Sequence, residues 1–469
     1  MLSITLNSHD SRPLIDQIVS GIQDQIDNKV LRIGSRLPSI RQFATQHKIS
    51  TFTVVQAYDR LVASGYVNSR RGSGFYIAKQ INPLVPKKSP ICDPNRAMDV
   101  IWLLHQSFHT QPHRHPVGLG WLPEKWQDKQ LIERGLRHLS RIQSGYLMDY
   151  GNAYGYLPLR QQLKRHLYDI GVTGDDFEII TTNGVTHAID LVTRYLVQAG
   201  DTVMVDDPGY FSSFGYLKSL GAKLIGVPRN TDGPDIEVMT QLVKQHRPKA
   251  FFIGTVLHNP TGTSLSQAIA YRILRLAEEY NFTIVEDDIY GDFHGTPTTR
   301  IASLDQLQRV VYVNSFSKTI SPNIRVGYLA CHQDLARELV DLKLLTNLTT
   351  SEMNERLIYS ILTEGYYRKY LEKLRTRLQQ AREPAMESLE KIGLQFFHPP
   401  EYGMFLWAKL PNCTDTSPIA ALAEKEDIML APGHIFRPHQ EPSPWLRFNV
   451  AFTNQPAVLN FLERVIDTL

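Results

Sequence analysis

The chain is 469 residues long and carries 50 Lys and Arg against 47 Asp and Glu, a formal charge of +3. That length exceeds one ordinary domain, and so even a balance excludes a uniformly polybasic or polyacidic protein. Three cysteines without a spacing pattern, no signal peptide and no long uncharged apolar run speak against a disulfide scaffold and a membrane span, and place the chain in a reduced cytoplasm.

The charge is divided unevenly. Through Lys79 ten Lys/Arg face five acids, +5, whereas the remainder carries 40 against 42, −2. A small basic module on a near-neutral body points to a phosphate-rich partner at one end, with a helical dimerisation module as the alternative. After Pro13, the apolar residues Leu14, Ile15, Ile18, Val19, Ile22 and Ile26 recur at helical spacing and predict a helix ending near Asn28. Ser39 then caps a short helix through Ile40, Phe43 and Ala44. The turn Lys48 to Thr51 opens a third helix with Val54, Tyr58, Leu61 and Val62 on one face, closed by Ser64-Gly65. Two helices joined so tightly read as helix-turn-helix. Tyr66 to Ser69 and Phe75 to Ile77, joined across Arg70-Arg71-Gly72-Ser73-Gly74, predict a hairpin, a wing.

Three prolines and no apolar period make Lys79 to Pro90 an extended linker, followed by an expected helix from Met98 to Phe108. His105, His109, His113 and His115 do not promise a metal site: Pro112 interrupts any helix that would align them, and the run holds no Cys or carboxylate. The expected division is 1–79, a DNA-binding module; 80–115, a linker; and 116–469, a second, larger domain. In the latter, apolar strands at Ile179, Val203, Leu224, Phe251, Ile284, Val311 and Gly327 alternate with helical stretches, predicting a mostly parallel sheet with its site at the strands' C-terminal ends. A long charged helix, Tyr366 to Lys391, and a strand, Phe405 to Lys409, suit a smaller α+β subdomain.

The chemistry concentrates at strand ends. Lys318 follows the strand Val310 to Val313 and is flanked by Ser315, Ser317 and Arg325. An amine that can act as a nucleophile, with hydroxyls and a guanidinium for a phosphate dianion, suits Schiff-base chemistry on a phosphorylated aldehyde. Upstream lie Thr182-Asn183-Gly184-Val185-Thr186 after one strand, Asp206-Asp207-Pro208-Gly209-Tyr210 after another, His258-Asn259-Pro260-Thr261-Gly262 after a third, and Glu286-Asp287-Asp288-Ile289-Tyr290 after a fourth. Asp207 and Asp288 read as solvated loop acids or helix caps, leaving Asp287 for function.

In this order the motifs resemble those of fold type I pyridoxal 5'-phosphate (PLP) enzymes, the class I aminotransferases, over roughly Val117 to Leu469. The resemblance implies an internal aldimine on Lys318, Asp287 paired with the pyridine nitrogen, and Asn259 and Tyr290 near the pyridoxal O3'. It further implies Tyr210 stacked on the ring and a phosphate held by Val185, Thr186, Ser315, Ser317 and Arg325. Tyr150 would reach the phosphate of a neighbouring subunit, and Arg447, in Trp445-Leu446-Arg447-Phe448-Asn449, would fork onto an α-carboxylate.

Leu37-Pro38-Ser39-Ile40-Arg41 with Thr53 to Tyr58, Leu61 and Gly65-Tyr66-Val67 resembles the GntR-type winged helix-turn-helix. Joined to a PLP fold it is similar to the MocR subfamily of bacterial regulators. That likeness implies a homodimer contacting double-stranded operator DNA through Arg41, Ser50, Thr51, Phe52, Thr53, Arg70, Arg71 and Gly72. Thr51-Phe52 stand where relatives often carry Arg or Asn, so bidentate guanine reading by this helix is not implied, and Phe52 suits a thymine methyl. The function implied is a PLP-dependent regulator responding to an amine, an amino acid or PLP itself; a working aminotransferase with a secondary DNA module is the other reading.

Overall fold

The structure, a computed structural model, describes residues 4, 6–7, 12–28, 30–78, 115–142 and 144–469. The chain divides into two compact units, Met1–Asp93 and Pro94–Leu469. The expected linker, apart from His115, and the Met98 to Phe108 helix lie outside the described residues, as do His105, His109 and His113.

In the first unit, α1 (Leu14–Asp27), α2 (Ile40–His47) and α3 (Thr51–Ala63) bury Ile18, Ile22, Phe43, Val54, Tyr58 and Leu61 against one another. These are the residues the helical period places inward. Ser39 and Gln42 form a reciprocal capping box at the start of α2, and Ser50 Oγ accepts from Thr53 N at 3.0 Å to start α3. Lys48 adopts the left-handed conformation (φ 54°) that ends α2 and makes the tight turn. The wing pairs β1 (Val67–Arg70) with β2 (Gly74–Ile77) in the register Val67 to Ile77. Arg70 is therefore a strand residue, and Arg71-Gly72-Ser73 alone form the tip.

The second unit is built on an eight-stranded sheet: β3 (Ile179–Thr182), β4 (Thr202–Asp207), β5 (Lys223–Asn230), β6 (Gly233–Pro234), β7 (Ala250–Gly254), β8 (Thr283–Asp287), β9 (Val310–Ser315) and β10 (Gly327–Ala330). Its order is β3-β10-β9-β8-β7-β4-β5-β6. The run from β9 to β5 is parallel, and β10 lies antiparallel between β3 and β9. Strands β7 and β9 are buried along nearly their whole length, as expected of a sheet covered on both faces. A second, antiparallel sheet of β11 (Gln395–Phe396), β12 (Phe405–Lys409), β13 (Ala431–Pro432) and β14 (Trp445–Asn449) follows the 26-residue helix Tyr366–Lys391 in the chain and forms the smaller subdomain.

Candidate functional site

The C-terminal ends of β4, β7, β8 and β9 open on a cavity of about 660 Å³. Its wall includes Lys318, Asp287, Tyr290, Tyr210, Asn259, Val185, Thr186, Ser317, Arg325 and Arg447. Residues more than 250 positions apart are thus assembled at one sheet edge, where open α/β sheets take their ligands.

Lys318 sits in the loop between β9 and β10. Its Nζ donates to Gly120 O at 2.8 Å and lies 5.9 Å from the centroid of the Trp121 ring. Burial, Arg447 and Arg325 lower its pKa to about 8, against the opposing pull of Asp287. Burial likewise raises the Asp287 carboxyl to about 7; it accepts from Ile289 N at 3.1 Å, and no cation pairs with it among the described salt bridges. A carboxylate so placed fits a cationic ring nitrogen, which would restore its ordinary acidity.

A helix start and an arginine line the same cavity. Gly184, with φ 78°, precedes the helix Val185–Leu196, whose first turn has no side-chain cap. A Cβ at Gly184 would come within 2.6 Å of Arg325 Nη2, and that guanidinium donates to Asn183 O at 2.8 Å. Arg325 itself holds a left-handed φ of 54°, a strained choice for arginine that aims it across this turn. Ser317 joins the wall, whereas Ser315 does not: its hydroxyl donates to Val326 O at 3.1 Å and accepts from Ser317 N, closing the loop rather than facing the cavity. Tyr150 is also outside the wall, 76 % exposed, with its backbone N on Asp149 Oδ1.

Arg447 is 2 % exposed, lying between the rings of Phe405 and Phe436 at 4.5 and 4.9 Å. It donates to Asn259 Oδ1 at 2.7 Å and to Gly118 O at 2.5 Å, and among the described residues no acceptor meets its buried Nε and no carboxylate pairs with it. Burial lowers its pKa to about 10. A buried guanidinium with a free donor and no counter-charge fits a carboxylate ligand.

Two readings of single acids are corrected. Asp288 is neither solvated nor a helix cap: it is 1 % exposed, pairs with Arg300 Nε at 2.7 Å and accepts from Tyr312 OH at 2.7 Å. Asp207 is half-buried and accepts from Arg437 Nε and Nη2, both at 3.2 Å. Strand alternation accounts for Asp288, since the residue after Asp287 turns to the opposite face, which here is core.

One cluster on the cavity wall escaped sequence reasoning. Asp206 pairs with Arg229 at 2.9 Å, approaches His258 at 3.4 Å and accepts from Gly254 N at 3.0 Å. Burial pushes the Asp206 carboxyl up, but Arg229 and the hydrogen bonds from His258 and Gly254 N outweigh it and hold the group below its usual range. Burial and Arg229 push His258 down to about 4, so it is neutral, and its Nδ1 bonds Thr261 Oγ1 at 2.8 Å. The network fixes the turn that carries Asn259. A cation at Arg229, in a strand with buried Val227, was the available signal.

In the first unit, Arg41, Ser50, Thr51, Phe52, Arg70, Arg71 and Gly72 are exposed and Thr53 is half-buried. Phe52, at the start of α3, is 68 % exposed, unusual for a phenylalanine in a small domain. Arg70 stacks its guanidinium 4.7 Å from the Tyr76 ring centroid, which stiffens the wing base.

Comparison with known proteins agrees with both units. Residues 122–465 match the family model for aminotransferase class I and II, and residues 14–77 that for bacterial regulatory proteins of the gntR family. The chain is 28 % identical over 457 residues to YdfD of Bacillus subtilis, an uncharacterized HTH-type transcriptional regulator, covering 94 % of this chain and 93 % of that one. It is 26 % identical over 443 residues to the HTH-type transcriptional regulator NorG of Staphylococcus aureus, covering 92 % and 98 %. Among solved structures, kynurenine aminotransferase of Pyrococcus horikoshii, crystallised with PMP, superposes with a TM-score of 0.72 at 26 % identity, over 80 % of this chain and 94 % of that one.

Proposed function

Because the chain belongs to the aminotransferase class I and II family and carries a gntR-family module, as MocR-type regulators do, we propose that it is a PLP-dependent transcription regulator sensing an amine, an amino acid or PLP itself at Lys318. A DNA-binding regulator follows from the relatives; the sensing role is our reading. The observation that carries it is the single cavity in which a softened amine (Lys318), an unpaired carboxylate (Asp287), an arginine over a helix N-terminus (Arg325) and an unpaired guanidinium (Arg447) converge.

Each group has a distinct task. PLP, when bound, supplies an aldehyde that condenses with amines and a ring that accepts electron density. Lys318, with its pKa near 8, presents a useful fraction of free base at neutral pH, so it can act as the covalent anchor. Asp287 would hold the ring's N–H, Tyr210 and Tyr290 on the cavity wall would border the ring, and Asn259, which accepts from Arg447, would meet its hydroxyl. Arg325, Ser317 and the backbone at Val185 and Thr186 would hold the phosphate. Arg447 orients a carboxylate. Exposed Met148, Tyr150 and Leu345, at 86, 76 and 86 %, suit a homodimer in which Tyr150 serves the partner's site.

A second reading, a working aminotransferase, is favoured by the fold shared with the kynurenine aminotransferase. The two separate experimentally. Stoichiometric reaction with an amine that changes DNA affinity supports the regulator; repeated turnover of an amino acid with an oxo acid, without any change in DNA affinity, supports the enzyme.

A further inference from the structure

Arg325 holds a backbone conformation that its surroundings explain. Its φ of 54° lies in the left-handed region, which a residue with a Cβ keeps only where the neighbouring structure over-determines it. The carbonyl before it, Ile324 O, accepts from Asn354 Nδ2 at 2.8 Å. The carbonyl after it, Val326 O, accepts from Phe316 N and from Ser315 Oγ, both at 3.1 Å. The side chain then rests on Asn183 O, to which Nη2 donates at 2.8 Å. Asn183 is itself held: its backbone N–H donates to His187 Nδ1 at 3.1 Å, and its Nδ2 donates to Asn347 Oδ1 at 3.2 Å. Burial lowers the His187 pKa to about 4, so near neutral pH the ring is uncharged and Nδ1 serves as an acceptor.

Asn347 and Asn354 therefore brace the two ends of Arg325 from consecutive helices, Asn347 at the end of Gln333–Asn347 and Asn354 in the first turn of Glu352–Thr363. Neither lines the cavity. The turn between them carries a strained residue of its own, Leu348 at φ 60° and ψ −91°, which Asn347 Nδ2 spans by donating to Thr349 O at 3.2 Å. A guanidinium meets a phosphate through a rigid planar fork, so an error in its root or its plane is felt in every contact it makes. We propose that Asn354 and Asn347 are positioning residues for Arg325 as a phosphate ligand: Asn354 fixes the backbone from which the side chain springs, and Asn347, acting through Asn183, fixes the carbonyl on which the guanidinium lies. This rests on the PLP reading above and extends it to two residues outside the cavity wall.

The test measures, on full-length PLP-free protein, the dissociation constants of PLP and of pyridoxal, which has the same aldehyde and ring without the phosphate, from the visible band and the melting temperature. Wild type is expected to prefer PLP. In Asn354→Ala and in Asn347→Ala that preference is expected to fall about fivefold, the worth of one ordinary hydrogen bond, with the pyridoxal constant within about twofold of wild type. Asn354→Ser carries the same test should the alanine variant not fold. Arg325→Met is expected to remove most of the preference, and Asn354→Ala added to Arg325→Met should lower it no further, because the two residues act as one unit. A loss shared equally by PLP and pyridoxal, an unchanged preference, or additive losses in the double variant would overturn this inference while leaving the PLP reading intact. A wild type that binds both aldehydes equally would overturn it together with the phosphate role of Arg325, and a wild type that gives no visible band with either would overturn the PLP reading as well.

Discussion

Asp287 and Asp288 are adjacent in sequence and serve opposite sides of one strand end. Asp288 grips Arg300 in the core at 2.7 Å, and Asp287 faces the cavity that holds Lys318. Substitution is expected to separate them by readout. Asp288→Ala should lower stability by about 3–5 kcal/mol, the usual cost of breaking a buried pair, as measured by denaturant unfolding. Asp287→Ala should instead weaken PLP retention on gel filtration. Equal loss of PLP at similar stability in both variants would refute this assignment.

Asp287 also sets a pH signature in PLP-free protein. Its folded pKa, about 7, lies above that of a free carboxylate, so the cost of burying its charge is absent in acid, grows above about pH 4 and is complete above pH 7. Asp287→Asn removes the charge. It should raise the stability of the PLP-free protein by about 1–3 kcal/mol at pH 8 and by less at pH 5. A larger gain at pH 5 than at pH 8 would reverse the sign argued here.

Lys318 is expected to make the protein yellow. Lys318→Ala, after removal of free PLP, should lack the visible band and yield no borohydride-reducible adduct, although Arg325, Ser317 and Thr186 are expected to retain some PLP without a covalent bond. In wild type the rate of PLP capture should rise with pH and level off above about 8, because the free amine is the nucleophile and its pKa lies there instead of near 10.5. A rate still climbing at pH 10 would show that the amine is not softened by its surroundings.

The sequence disclosed much of this because strand-end chemistry is local. Lys318, Asp287, Asn259 and Tyr210 each follow an apolar strand within a few residues, and a parallel sheet brings such ends to one edge. The α1 to α3 boundaries likewise follow from apolar period and from the Ser39 and Ser50 caps. Tertiary pairing was less visible. Asp288 finds Arg300 twelve residues on, Asp206 finds Arg229 across a parallel strand pair, and Ser315 turns to Val326 O, none of which a one-dimensional pattern encodes.

The DNA face is expected to behave as a set of phosphate and groove contacts. Arg41→Ala and Arg70→Ala should each weaken binding and reduce the salt slope by about 0.9 per lost phosphate contact. Substitution at Thr51 or Phe52 should change which operators are preferred. Fluorescence anisotropy against salt concentration checks both; unchanged affinity and slope in the arginine variants would remove the DNA role from this face.

The central claim, that chemistry at Lys318 is transmitted to DNA binding, is tested most directly by the dissociation constant of full-length protein on an operator fragment selected from genomic DNA, measured with and without PLP and a mixture of the common amino acids. Wild type should shift by about fivefold or more between these conditions, within the usual range of coupling between sites, and Lys318→Ala should not. A wild-type affinity indifferent to both ligands, or a Lys318→Ala protein that responds as wild type does, would contradict the account.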